Sequence, residues 1–110
     1  MASLSHSIKR GSAELAILMV LKDQPLHGYE IARRIEQDTA GVLHFTLASL
    51  YPLLYRMEKR GWLEAEWGLS ENNRKAKYYQ LTTQGRKQLR AKTAVWTEYA
   101  SAVFQVLQTA

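Results

Sequence analysis

Between Leu69 and Lys92 the chain carries Arg74, Lys75, Lys77, Arg86, Lys87, Arg90 and Lys92 against one acid, Glu71. From Met1 to Gly68 eight basic residues are matched by eight acidic ones, so the net charge of +5 originates in that one stretch. A concentrated cationic surface suits a polyanion, because each neutralised phosphate releases condensed counterions. A solvated helix face has the same composition. A second group, Thr46, Ala48 and Ser49, is small enough to let a helix approach base edges. Arg56 and Lys59 follow on the same helical face, placed for phosphates. Tyr51 and Tyr55, at i and i+4, add hydroxyls that serve either phosphate oxygens or packing on a neighbouring helix.

Catalytic and metal chemistry find little support in the same inventory. With no cysteine there is no disulfide, thiolate nucleophile or Cys-based zinc site. His6, His27 and His44 are seventeen or more residues apart, without HxxxH, HExxH or paired-carboxylate spacing, and no Gly-rich phosphate loop is present. His27, next to Gly28, reads as a hydrogen-bonding residue at a helix start. The expectation is a protein that is not an enzyme and uses no cofactor or metal. Residues 1–10 lack the apolar segment of a secretory signal, and the apolar run Leu15–Leu21 falls far short of the ~20 residues that span a bilayer. A reducing, cytoplasmic location and no membrane partner are expected.

At 110 residues and 46% hydrophobic content the chain is one globular unit, able to bury roughly 60–70% of its unfolded surface. Ser12 is placed to cap a first helix, with Glu14 near its positive end and an apolar body from Leu15 to Leu21. After Asp23–Leu26 a second helix opens at Gly28, with Ile31, Ala32 and Ile35 inward, and Gly41 ends it. Val42–Phe45 reads as extended. Thr46, rather than Ser49, caps a third helix that runs to about Arg60 and closes at Gly61, with an inward stripe of Leu47, Leu50, Leu53, Leu54 and Met57. Beyond Gly61 the period becomes two: Leu63, Ala65, Trp67 and Leu69 predict the buried face of a strand. Ser70–Lys75 is a turn, Ala76–Leu81 a second strand, and Thr82 or Thr83 caps a last helix to about Gln108. That helix is too long to fold back over so small a core. Its stripe of Leu89, Trp96 and Val103, joined by Tyr99, Ala100, Val106 and Leu107, needs a partner.

Three helices followed by a basic hairpin predict a mainly α chain with a small β-hairpin. This is a winged helix-turn-helix over residues 1–82, with a C-terminal dimerisation helix over 83–110. The third helix would enter the major groove, with Thr46 and Ser49 at base edges and Arg56 and Lys59 at phosphates. The hairpin would bring Arg74, Lys75 and Lys77 to the backbone. Pairing of two chains through the last helix would set the recognition helices about one DNA turn, ~34 Å, apart and predicts an inverted-repeat operator on double-stranded DNA. Trp96 is either an ordinary core anchor or, paired across a two-fold axis beside Thr93 and Ala100, one wall of a site for a planar aromatic effector.

Four motifs in order make the resemblance specific: Leu26-His27-Gly28-Tyr29-Glu30-Ile31, Ser49-Leu50-Tyr51-Pro52-Leu53-Leu54, Glu58-Lys59-Arg60-Gly61, and Lys77-Tyr78-Tyr79-Gln80-Leu81-Thr82 with Gly85. Across about Gly11 to Gly85 the chain resembles the short subfamily of PadR-like transcriptional regulators. The resemblance implies a homodimeric DNA-binding repressor with winged-helix heads joined by a C-terminal helix. Such proteins often govern efflux, transport or detoxification genes and are sometimes released by aromatic ligands. It also implies that the family's recognition-helix tyrosine corresponds to Tyr51 and its wing cations to Arg74, Lys75 and Lys77. Many relatives have Pro-Gly after the capping residue where this chain has Leu47-Ala48, so no operator sequence carries over. The competing reading is a winged-helix interaction module that binds an acidic protein partner.

Overall fold

The computed structural model describes residues 2–109, with side chains from residue 11 onward, so the side chains of His6, Lys9 and Arg10 lie outside the described residues. The order is α1 (Ala2–Val20), β1 (Leu26–His27), α2 (Gly28–Asp38), α3 (Leu47–Lys59), β2 (Leu63–Leu69), β3 (Lys75–Leu81) and α4 (Thr83–Thr109). The first helix begins well before the expected cap. Ser12 is therefore inside α1, and Glu14 is not near a positive helix end. Glu14 is instead buried, and its carboxylate accepts a hydrogen bond from the Arg60 guanidinium at 3.1 Å, which explains how an acid is tolerated there.

His27 caps α2, its Nδ1 accepting the Glu30 N–H at 3.2 Å. Ile31 and Ile35 point into the core. The helix ends in a turn in which Ala40 and Gly41 take left-handed conformations (φ 51 and 83°), and the Gly41 N–H returns to the Glu36 carbonyl at 2.8 Å. In the segment expected to be extended, residues 42 and 43 form a bend, the Thr39 hydroxyl accepting the Leu43 N–H at 3.0 Å, and residues 44 and 45 lead without regular structure into α3.

Thr46 caps α3 as expected, its hydroxyl accepting the Ser49 N–H at 3.2 Å. Gly61, at φ 81°, takes the left-handed conformation just past the helix end. The buried stripe is Leu50, Leu53, Leu54 and Met57. Leu47, expected within that stripe, is exposed, because the first turn of α3 precedes the point where the helix meets the core. Pro52 lies on the outer face, where the Ala48 carbonyl that loses its helical partner faces away from the core.

The hairpin is joined by a third strand too short to show a period in sequence. Leu26 and His27 pair antiparallel with Tyr79 and Tyr78, giving the strand order β1-β3-β2. The β2–β3 register runs from Leu63↔Leu81 to Leu69↔Lys75. Leu63, Tyr79 and Leu81 are buried at the base, whereas Trp67 and Leu69 are exposed. The two-residue period of burial holds from Leu63 to Glu66, but Trp67 and Leu69, expected on the same face, are exposed because the distal half of the hairpin projects past the core.

Thr82 caps α4, its hydroxyl accepting the Gly85 N–H at 3.0 Å. A Cβ at Gly85 would stand 2.0 Å from the Trp62 carbonyl oxygen, so only glycine lets α4 dock on the β2 entry. α4 packs on α1, and its buried residues, Gly85 and Leu89, lie in its first two turns. With 27 residues the helix is about 40 Å long, and from Val103 to the end of the described chain every residue is exposed. None of the described helices is long and apolar enough to cross a membrane.

Candidate nucleic-acid interface

The outer face of α3 presents Thr46, Ala48, Ser49, Pro52, Tyr55, Arg56 and Lys59, all exposed. The first turn is rigidly tied: the Ser49 hydroxyl donates to the Thr46 carbonyl at 3.0 Å while the two hydroxyls are 3.1 Å apart. Tyr51 does two things at once. Its ring lies so close to α2 that a Cβ on Gly28 would sit 2.8 Å from a ring carbon, yet the residue stays 45% exposed. Tyr55 is open to solvent with the Lys59 ammonium 5.4 Å from its ring centroid.

On the wing, Arg74 and Lys75 are exposed, and the Lys75 ammonium lies 5.5 Å from the Trp67 ring centroid. Lys77 is drawn the other way. Its ammonium donates to Glu58 of α3 at 3.2 Å, a bond that raises the lysine pKa. Between the wing and the start of α2 runs a groove of about 860 Å³, walled by His27, Gly28, Tyr29 and Tyr51 on one side and by Trp67, Arg74, Lys75 and Lys77 on the other. Glu30 also lines it, but its carboxylate is held by Arg33 at 2.9 Å, and that hydrogen bond lowers its pKa.

The fold thus brings Tyr51 together with Arg74, Lys75 and Lys77, and it lines up Thr46, Ser49, Arg56 and Lys59 on the adjacent helix face. Trp96 is half-buried on α4, its ring edge-on to Tyr99 with centroids 6.4 Å apart. The basic stretch divides between two elements: Arg86 donates to the Lys22 carbonyl at 3.2 Å, and Lys92 lies 5.1 Å from the Trp62 ring centroid. Sequence reasoning misses Tyr29 and Trp67 as groove residues. No local pattern marks them, since the groove exists only once β3 has paired with β1. Among the described residues no three His, Asp or Glu side chains converge as metal ligands.

A three-helix core whose third helix presents a small polar face, followed by a basic antiparallel wing, is a winged helix-turn-helix. The chain belongs to the PadR-like family of transcriptional regulators, whose model matches residues 17–91. It is 32% identical over 91 residues to an uncharacterized protein of Lysinibacillus sphaericus, a match covering 83% of this chain and 84% of that one. The fold matches a PadR-like transcriptional regulator from Bacillus cereus with a TM-score of 0.80 at 28% identity, over 93% of this chain and 97% of that one. A PadR family transcriptional regulator from Eggerthella lenta gives 0.77 at 28% identity, over 99% and 93%. The chain is accordingly a transcriptional regulator and not an enzyme.

Proposed function

We propose that this regulator is a homodimeric, cytoplasmic repressor that binds an inverted-repeat operator of double-stranded DNA, controls efflux, transport or detoxification genes, and is released by a planar aromatic ligand. The observation that carries the reading is the outer face of α3, small and polar at its first turn and cationic further on, with the wing cations beside it. In this reading Thr46 and Ser49 meet base edges, Tyr51, Arg56 and Lys59 meet phosphates, and Arg74 and Lys75 follow the backbone from the wing. Lys77 adds its charge to the groove while Glu58 holds it. Residues 1–82 form the DNA-binding head and residues 83–110 the dimerisation helix.

Dimerisation is supported by Tyr99, Val103, Phe104, Val106 and Leu107, all large, apolar and exposed along one end of α4. An effector site at Trp96 is supported by the half-buried indole, edge-on to Tyr99 on the same helix. The test is to recover and sequence the fragments of its own genome that the purified protein retains, with light scattering on the same sample. The reading requires a dimer and a shared inverted repeat near transport or detoxification genes. A monomer at micromolar concentration, or fragments without any common element, would overturn it.

A further inference from the structure

His27 does more than begin a helix. Because its Nδ1 accepts the Glu30 N–H, that nitrogen carries no proton, and the neutral ring must hold its proton on Nε2. Nε2 is therefore a donor, and it has no hydrogen-bond partner among the described residues although the residue is only 8% exposed. It is not sealed in the interior either, because among the described residues the enclosed side-chain polar atom left without a partner is Thr93 Oγ1. His27 is one of the residues that wall the groove. The ring is held in place by the cap and by Tyr78, which meets it edge-on with centroids 5.3 Å apart.

The surroundings suit an anion. Gly28 and Tyr29, whose first-turn amides have no acceptor within their own helix, line the same groove at the positive end of the α2 dipole. The Tyr51 hydroxyl lies 2.9 Å from where a Gly28 Cβ would stand, which brings it to the same helix end. Arg74 and Lys75 close the far side. Of the two carboxylates in the wall, Glu30 is occupied by Arg33, and Glu71 is exposed on the turn.

We propose that this groove seats one backbone phosphate of duplex DNA, with His27 Nε2–H donating to a phosphate oxygen beside the Tyr51 hydroxyl. The proposal rests on the DNA-binding reading above and adds to it a contact made by an uncharged donor. Such a contact has a signature that a lysine or arginine contact lacks: it strengthens binding to any sequence without releasing a counterion.

The test uses the full chain and a mixed-sequence duplex of about three helical turns, titrated by fluorescence anisotropy across a range of salt. His27→Asn keeps a side-chain oxygen for the cap but lacks the reach of the imidazole. Binding should weaken about tenfold, the effect of removing one hydrogen bond to a charged acceptor, with an unchanged slope of log affinity against log salt. Nitrogen-15 NMR of the wild-type histidines supplies a readout independent of the variant. His27 should be the Nε2–H tautomer, and its Nε2 resonance should move on adding the duplex, while His44, tied to Glu36 at 2.9 Å outside the groove, serves as the reference. Unchanged affinity in a folded variant, or an unmoved Nε2 resonance at saturating duplex, overturns the seat and leaves the DNA-binding reading standing. A wild-type chain that binds no duplex overturns both.

Discussion

Lys77 of the wing donates to Glu58 in the last turn of α3 at 3.2 Å, so the wing is fastened to the helix beside it. Both side chains are about one-third exposed, which limits the pair to roughly 1 kcal/mol or less. Its contribution is a local tie between the wing and α3, in addition to the packing of α3 on β2.

That pair and its neighbour Tyr79 make stability depend on pH in the alkaline range. The Glu58 bond raises the Lys77 pKa, and burial raises that of Tyr79. In both cases the folded state holds the proton more tightly, so the contribution is complete below the ordinary values of about 10 and is lost as pH rises through the raised ones. Urea midpoints should be flat with respect to these two groups at neutral pH and fall above about pH 10. Tyr79→Phe should make that fall shallower.

The docking of α4 on the head depends on Gly85. Because a Cβ there would meet the Trp62 carbonyl oxygen at 2.0 Å, Gly85→Ala must displace α4 or the turn before β2. Overpacking of this kind costs about 1–3 kcal/mol, and thermal unfolding should show it as a drop of about 4–8 °C per kcal/mol. A wild-type melting temperature in the variant would mean that a trivial shift relieves the clash.

At the wing tip, replacing Arg74 and Lys75 by alanine should weaken DNA binding without unfolding the domain, since both are exposed and neither forms an ion pair among the described residues. The salt slope of log affinity should become shallower by about 0.9 for each phosphate that the variant no longer neutralises. An unaltered slope would place the wing off the DNA.

Sequence preference is expected to reside in the first turn of α3. Ser49→Ala removes a hydroxyl that donates to the Thr46 carbonyl but leaves the Ser49 N–H cap intact, so stability should change little. Preference across a randomised site library should change by about 1–3 kcal/mol at a contacted base pair. Thr46→Ala, which removes the cap itself, should instead cost about 1 kcal/mol of stability.

The exposed end of α4 should carry self-association. Deleting residues 95–110 removes Trp96, Tyr99, Val103, Phe104, Val106 and Leu107 and should give a folded monomer with poor DNA binding, since Gly85 and Leu89, the buried residues of α4, remain. Light scattering on the truncated and intact chains reads this directly. A dimer that survives the deletion would put the interface elsewhere.

Local chemistry is legible in the sequence wherever a residue acts on its immediate neighbours. Thr46 before Leu47, Gly61 after Arg60, Thr82 three residues ahead of Gly85 and His27 ahead of Glu30 all cap or close the elements expected of them, because each bond spans only a few residues. The apolar period of α2 and of the body of α3 places Ile31, Ile35, Leu50, Leu54 and Met57 in the core for the same reason. Ser12 is not a cap, because hydroxyl residues also occur inside helices and nothing local to Ser12 tells where α1 begins.

By itself, then, the sequence determined the helices, the hairpin, the basic wing and the small polar start of the recognition helix, all consequences of periods and caps a few residues long. The tertiary structure alone decided what depends on residues far apart in the chain. It buried Glu14 by bringing Arg60 to it, drew Lys77 to Glu58, laid Tyr51 over Gly28, and opened the groove at His27 by pairing β1 with β3. It also left Leu47, Trp67 and Leu69 exposed, since a hydrophobic residue is buried only where another element arrives to cover it.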